Sequence, residues 1–384
     1  MKIEFFKHNI GPEEKESVNR ALDSVFLTSG KVADEFEHDL AHYVGAQYCV
    51  GLMSCTAALH LSLLALEIGP GDEVITTPMT FVATSTAIMH TGAKPVWVDV
   101  EKETGNINVD LIEEAITEKT RAIIPVHLYG QMCDMKRIRK IADKHGLFVV
   151  EDAAHALESE REGIRVGQLG DAACFSFYAT KSITSGEGGA VTTNSKELAE
   201  KIRILRLHGI NKEAAERYTK RYEHWDLLEL GWKFNMSNIQ AALLIPQLRK
   251  VEQYWKRREY IYKRYKDAFT DLEKINLPKP YANSKSGYHL FTIWVDTKKR
   301  DIILKGLQKK GIGVAVNYRA INLLTKFQEV IGKGRGSFPV AERIGDSTIS
   351  LPFYPKLKDD EIDYVVTSLK EVLIKCEEEE SRNL

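Results

Sequence analysis

Over the first 245 or so positions, apolar residues fall in short dense runs separated by polar, helix-like stretches. The runs are Tyr48–Leu52, Glu73–Thr76, Pro95–Val98, Ala122–Val126, Leu147–Glu151, Ala172–Phe177 and Gly189–Thr192. Most are rich in Val, Ile and Phe, the pattern of strands buried on both faces. Ala57–Glu67, Met135–His145 and Lys196–Leu207 read as helices between them. Gly69-Pro70-Gly71-Asp72 and Thr91-Gly92-Ala93-Lys94-Pro95 mark turns. Strands alternating with crossover helices predict a mostly parallel α/β sheet. In such a sheet a ligand sits beyond the carboxyl ends of the strands, so candidate chemistry belongs there.

After this alternation the pattern changes. Gln247 to about Tyr265 reads as one long charged amphipathic helix, bridging to a second domain. Residues 276–375 mix a strand-like His289–Val295, a helix Asp301–Lys310, a strand-like Gly313–Asn317 and a final helix Asp359–Cys376. The expected division is therefore a large α/β domain over 1–246 and a small α+β domain over 247–384 that begins with the bridging helix. The run Glu377-Glu378-Glu379-Glu380-Ser381 is expected to be a solvated, frayed tail.

Composition narrows the function classes. The 384 residues carry 53 Lys plus Arg against 54 Asp plus Glu, a net charge of −1. No broad basic footprint is possible, which argues against nucleic acid as the main partner. No apolar run is long enough to cross a bilayer, and Met1-Lys2-Ile3-Glu4 leads into no signal peptide. The five cysteines, at 49, 55, 133, 174 and 376, form no C-x-x-C pair. A disulfide framework, a structural zinc site or any other metal site is not expected, and the reducing cytoplasm is the expected location.

Four strand ends carry candidate chemistry. Lys181 follows the strand-like Phe175-Ser176-Phe177 and precedes Gly186-Glu187-Gly188-Gly189. A half-buried lysine there can become a nucleophilic amine, although a snorkelling surface lysine is the commoner situation. Asp152 ends the apolar run Leu147–Glu151. It can hold a cofactor ring nitrogen protonated, or cap the next helix. His155 falls three residues on, as a neighbour of that site or as a structurally satisfied histidine. Ser54-Cys55-Thr56-Ala57 opens a helix whose free N–H groups suit a phosphate, or simply caps it. Phe81, in Thr77-Pro78-Met79-Thr80-Phe81, can stack on a planar ring or belong to the core. There is no G-x-x-x-x-G-K-[ST] loop, and no G-x-G-x-x-G after the first strand. Taken in order, a phosphate-type helix start, an aromatic, a carboxylate, a serine and a lysine are the parts that pyridoxal phosphate requires.

Longer motifs share this order. They include Ser54–Leu61, Gly69–Ile75, Pro125-Val126-His127-Leu128-Tyr129-Gly130-Gln131 and Glu151-Asp152-Ala153-Ala154-His155. Gly170–Tyr178, Thr180-Lys181, Gly186–Gly189 and Met236-Ser237-Asn238-Ile239-Gln240-Ala241-Ala242 continue the series. In these the chain resembles, from about residue 3 to 370, the pyridoxal-phosphate-dependent nucleotide-sugar aminotransferases of the DegT/DnrJ/EryC1/StrS family. The resemblance implies an aspartate-aminotransferase-like fold (PLP fold type I) with a mostly parallel seven-stranded central sheet. It also implies a homodimer with shared active sites and pyridoxal 5'-phosphate as cofactor, passing through pyridoxamine 5'-phosphate.

Carried over by position, Lys181 is the Schiff-base lysine and proton shuttle, and Asp152 pairs with the pyridine nitrogen. Cys55, Thr56, Ala57 and Ser176 surround the phosphate, Phe81 stacks on the ring, and His155 lies near its 3-hydroxyl edge. Many relatives have Gly-Tyr-Asn-Tyr-Arg-Met-Ser where this chain has Gly231-Trp232-Lys233-Phe234-Asn235-Met236-Ser237. Asn235, or Lys233 in its place, then reaches the partner subunit's phosphate. In Asn317-Tyr318-Arg319-Ala320-Ile321-Asn322-Leu323, Tyr318 and Arg319 are expected to bind the nucleotide-sugar, while Asn322 replaces a histidine common in relatives.

The implied reaction takes an amino group from L-glutamate, leaving 2-oxoglutarate, and gives it to a keto-deoxy sugar on UDP or dTDP for surface polysaccharide or glycan synthesis. Thr184–Gly189 resembles relatives that aminate carbon 4. The alternatives are an aminocyclitol or other keto acceptor, or a sugar dehydratase on the same fold. Dehydratase relatives have His where Lys181 stands.

Overall fold

A computed structural model describes residues 1–212 and 224–382. Its elements begin with α1 (Pro12–Leu22), α2 (Lys31–Val44), β1 (Tyr48–Leu52), α3 (Cys55–Ala65), β2 (Glu73–Thr76), α4 (Val82–His90), β3 (Lys94–Trp97) and β4 (Thr120–Ile123). There follow α5 (Met135–His145), β5 (Phe148–Asp152), β6 (Glu160–Arg161), β7 (Ile164–Arg165), β8 (Ala172–Ser176), β9 (Gly189–Thr193) and α6 (Lys196–Leu205). Then come α7 (Asn238–Arg249), α8 (Val251–Phe269), β10 (Ser284–Lys285), β11 (Phe291–Trp294), α9 (Arg300–Lys309), α10 (Thr325–Ile331), α11 (Pro339–Ser347), β12 (Thr348–Leu351) and α12 (Asp359–Arg382).

The central sheet has seven strands in the order β1-β9-β8-β5-β4-β2-β3. Only β9 opposes the common direction, running antiparallel to β1 and β8. All seven apolar runs are strands, with ends displaced by up to three residues. Their side chains alternate between two cores, as the two-residue period requires. Ile75, Ile123, Val149, Ala173 and Phe175 face the core beneath α2, α5 and α7. Val74, Ala122, Val150, Ala172 and Cys174 face the core beneath α3 and α6. Helix α3 packs against α4, α6 and the sheet, and is buried from Ala57 to Leu63. Helix α5 has one apolar stripe, Met135, Ile138 and Ala142, capped by the Asp134 side chain and by left-handed Gly146.

A third core joins α8, α9, β11, β12 and α12. Four features there differ from expectation. The bridging helix starts at Asn238, not Gln247, because Ser237 and Gln240 form a capping box, and it breaks at Lys250 between α7 and α8. Gly313–Asn317 forms no strand; Ala315 makes an isolated bridge to Ser350, while Ile312 and Gly313 pair with Ile3. The charge run does not fray in its backbone, since α12 stays helical to Arg382. The division drawn at 246 falls within α7, and the chain's start crosses it, with Ile3 buried in the third core. All five cysteines are free thiols. Among the described residues no helix is long and apolar enough to cross a membrane, and no cluster of His, Cys, Asp or Glu could hold a metal ion.

Candidate active site

A cleft of about 510 Å3 opens beyond the carboxyl ends of β1, β2, β5 and β8. Each strand delivers one or two residues to it. Cys55 and Thr56 follow β1, Thr80 and Phe81 follow β2, Asp152 ends β5, and Ser176 ends β8. Lys181 reaches it from the loop after β8, while Phe5, His289, Leu290, Asn317 and Tyr318 form the far wall. A larger groove, about 760 Å3, runs along α2, β1 and α6, away from these strand ends. The smaller cleft is the candidate site, because the convergent polar groups are there.

Asp152 is buried. Its carboxylate accepts the Thr84 hydroxyl at 2.7 Å and the Ala154 N–H at 3.2 Å. It has no ion-pair partner among the described residues, and burial raises its proton affinity. Lys181 also forms no ion pair there, and burial pulls its amine down to about 8. Among the described residues, a carboxylate and an amine therefore face one cleft, each without a counter-ion of its own in contact.

The lysine loop is fixed from behind. Gln247 of α7 donates to the Thr184 carbonyl at 2.8 Å and accepts the Thr184 N–H at 3.1 Å. Ser182 donates to Glu158, which pairs with Arg258 of α8, both fully buried.

Ser54 caps α3 by accepting the Ala57 N–H at 3.1 Å. The Cys55 and Thr56 N–H groups of the first turn have no intrahelical acceptor and face the cleft end. Gly189 makes this arrangement possible: a Cβ on it would lie 2.2 Å from the Ser54 carbonyl carbon and 2.4 Å from the Cys55 nitrogen. Its neighbour across the ladder is Ser176. The result is a polar cradle of N–H and hydroxyl donors that suits a phosphate.

His155 accepts the Tyr129 N–H on Nδ1 at 3.3 Å, so its Nε2–H donates to the Tyr318 hydroxyl at 3.0 Å. Burial lowers its proton affinity well below the usual imidazole value, keeping it neutral. Phe81 is 56% exposed on the cleft side, too open for a core residue, with its ring 5.8 Å from that of Tyr318.

Several residues singled out in the sequence lie off the cleft. Ala57 is buried, and its N–H is taken by Ser54. Asn235 donates to Ser29 at 2.7 Å and accepts from Lys233. Arg319 is exposed beside Tyr318. Asn322 is fully buried and donates to Glu342 at 2.8 Å, away from the cleft. Conversely, sequence reasoning missed Thr84, Gln247, His289 and Phe5. Only Thr84 had a local signal, its four-residue spacing from Thr80.

The profile of the DegT/DnrJ/EryC1/StrS aminotransferase family matches residues 8–370. The chain belongs to this family. As an aminotransferase-family chain it is 46% identical to an uncharacterized Methanocaldococcus jannaschii protein, MJ1066, over 96% of this chain and 97% of that one. It is 41% identical to the spore coat polysaccharide biosynthesis protein SpsC of Bacillus subtilis, over 95% of both chains. Spr1654 of Streptococcus pneumoniae, assigned as a sugar aminotransferase, superposes in its PLP form with a TM-score of 0.92 at 34% identity, covering 98% of this chain and 99% of that one. It is also known in a PMP form.

Proposed function

We propose that this aminotransferase uses pyridoxal phosphate to move an amino group from L-glutamate to carbon 4 of a nucleotide-linked 4-keto-6-deoxy sugar, for surface polysaccharide or glycan synthesis. One observation carries the reading: the buried Asp152 carboxylate and the Lys181 amine face a single cleft, each without a counter-ion in contact among the described residues. A cofactor with a protonatable ring nitrogen at one end and an aldehyde at the other suits both groups. The Cys55–Thr56–Ser176 cradle suits its phosphate.

When bound, the cofactor supplies an electron sink for cleaving a bond at the substrate's amine-bearing carbon. The chain's residues do the rest. Asp152 holds the ring nitrogen protonated. Lys181, whose buried amine gives up its proton more readily than an ordinary lysine, would take the proton from the substrate carbon and deliver it to the cofactor C4′. Phe81 covers one ring face, and the neutral His155 holds Tyr318 against the cleft. L-Glutamate and the keto sugar use this site in turn, which gives ping-pong kinetics.

The sugar class is supported by the names of SpsC and Spr1654, and carbon 4 by the Thr184–Gly189 stretch. Exposed Met53, Phe81, Tyr178, Trp225, Leu228 and Leu230 support a homodimer, in which Asn235 or Lys233 reaches the partner's phosphate and Arg319 with Tyr318 meets the nucleotide-sugar. Five free thiols support a cytoplasmic location. The presence of Lys181 disfavours the dehydratase alternative.

The test is a visible spectrum of the pyridoxal-phosphate-loaded protein before and after L-glutamate, beside Lys181→Ala. The expected result is a band that glutamate bleaches and that the variant never shows. A band indifferent to glutamate and to Lys181 overturns the reading. UDP- and dTDP-linked keto sugars are then screened as acceptors.

A further inference from the structure

Asp152 is held by a two-hydroxyl relay that begins on the neighbouring strand end. Thr80 and Thr84 lie 2.8 Å apart, Oγ1 to Oγ1, and Thr84 Oγ1 lies 2.7 Å from Asp152 Oδ2. All three residues are buried. A hydroxyl has one proton, and an ionised carboxylate can only accept. The Thr84 proton is therefore committed to Asp152, and Thr80 must donate to Thr84. While Asp152 is ionised, the order Thr80 to Thr84 to Asp152 follows.

We propose that Thr84, backed by Thr80, is a positioning residue that fixes the Asp152 carboxylate at the ring-nitrogen end of the cleft. Three further features support this. Thr84 is in the first turn of α4, so Asp152 lies against that helix's positive end. The other Asp152 oxygen is tied to the Ala154 N–H, so the carboxylate is held at both oxygens. Phe81 lies between the two threonines in sequence. While Thr80 and Thr84 bond to each other on one side, Phe81 stands exposed in the cleft. One five-residue segment thus supports both the expected ring face and the carboxylate.

Burial favours the protonated form of Asp152, and the Thr84 hydroxyl is the largest opposing influence. The other groups facing Asp152 are Lys181 and His127, which favour its ionised form, and Cys55, Cys174 and Tyr318, which stay protonated.

The inference rests on the cofactor reading above, and its test separates the two. Melting of the cofactor-free protein is followed from acid to neutral pH for wild type, Thr84→Val and Thr84→Ser. Pyridoxal phosphate affinity is measured for each. A buried carboxyl with raised proton affinity gives its full stability below about pH 4, the unfolded value, and loses it as pH rises. Thr84→Val should enlarge that loss, so its melting gap from wild type widens toward neutral pH. Its cofactor affinity should fall about 10- to 100-fold, as for a lost hydrogen bond to a charged group. Thr84→Ser should restore both.

A gap equal at every pH, an unchanged affinity, or a serine variant as impaired as valine overturns the proposal. The pH-dependent gap needs no transamination. If the gap is present while glutamate fails to bleach the loaded wild type, the functional reading falls and the Thr84 contact stands. If the gap is absent while glutamate bleaches, only the Thr84 assignment falls.

Discussion

Replacing Lys181 with methionine is expected to stabilise the cofactor-free protein at neutral pH. Methionine keeps most of the side-chain length but carries no charge. In the fold, burial lowers the lysine from its ordinary 10.5 to about 8, against weaker opposing attraction to Cys55 and Asp152. Each pKa unit corresponds to about 1.4 kcal/mol, so the full difference is about 3.5 kcal/mol. Lys181 is only half-buried, and solvent screening reduces the expectation to about 2–3 kcal/mol.

The sign follows from proton binding. Below about 8 the amine is charged in both states, and the fold bears the whole desolvation penalty. Between about 8 and 10.5 the unfolded lysine still binds its proton while the folded one releases it, so stability rises with pH. Urea unfolding of both proteins across this range is the assay. The variant should be more stable at neutral pH, and the gap should close by pH 10.5. A variant no more stable than wild type, or a gap that persists at pH 10.5, refutes the reading of Lys181 as a desolvated amine.

Two other substitutions probe the frame around the cleft. Gly189→Ala places a methyl group 2.2 Å from the Ser54 carbonyl carbon, which should cost about 1–3 kcal/mol and weaken pyridoxal phosphate binding. Melting and cofactor titration measure the two effects. Arg258→Ala leaves the fully buried Glu158 carboxylate unpaired behind the lysine loop. It should cost about 3–5 kcal/mol by urea unfolding, and adding Glu158→Gln should recover part of the loss.

Much of the fold was legible because its signals are local. Apolar runs of four to six residues are what a doubly covered sheet demands, and all seven are strands. Helix α5 matched its expected bounds because its stripe, its N-cap and its terminal glycine lie within one short segment. Gly313–Asn317 misled because its alternation resembles a strand, whereas its pairing is divided between Ile3 and Ser350, at opposite ends of the chain. The N-terminus of α7 was missed although Ser237 and Gln240 spell a capping box.

The candidate site divides in the same way. Lys181, Asp152, His155, Phe81, Thr56 and Ser176 were named because each lies at a strand end, and a parallel sheet brings its strand ends together. Sequence therefore determined the strands, their succession along the chain and the residue types at their ends; the order of the strands in the sheet and the reversed β9 came with tertiary structure. Tertiary structure decided which atoms are free to act. Packing enclosed Asn322 with Glu342, clamped the lysine loop with Gln247, and carried the Thr84 hydroxyl to Asp152. Those partners come from separate elements, and their hydrogen bonds depend on distance and burial, which no spacing along the chain encodes.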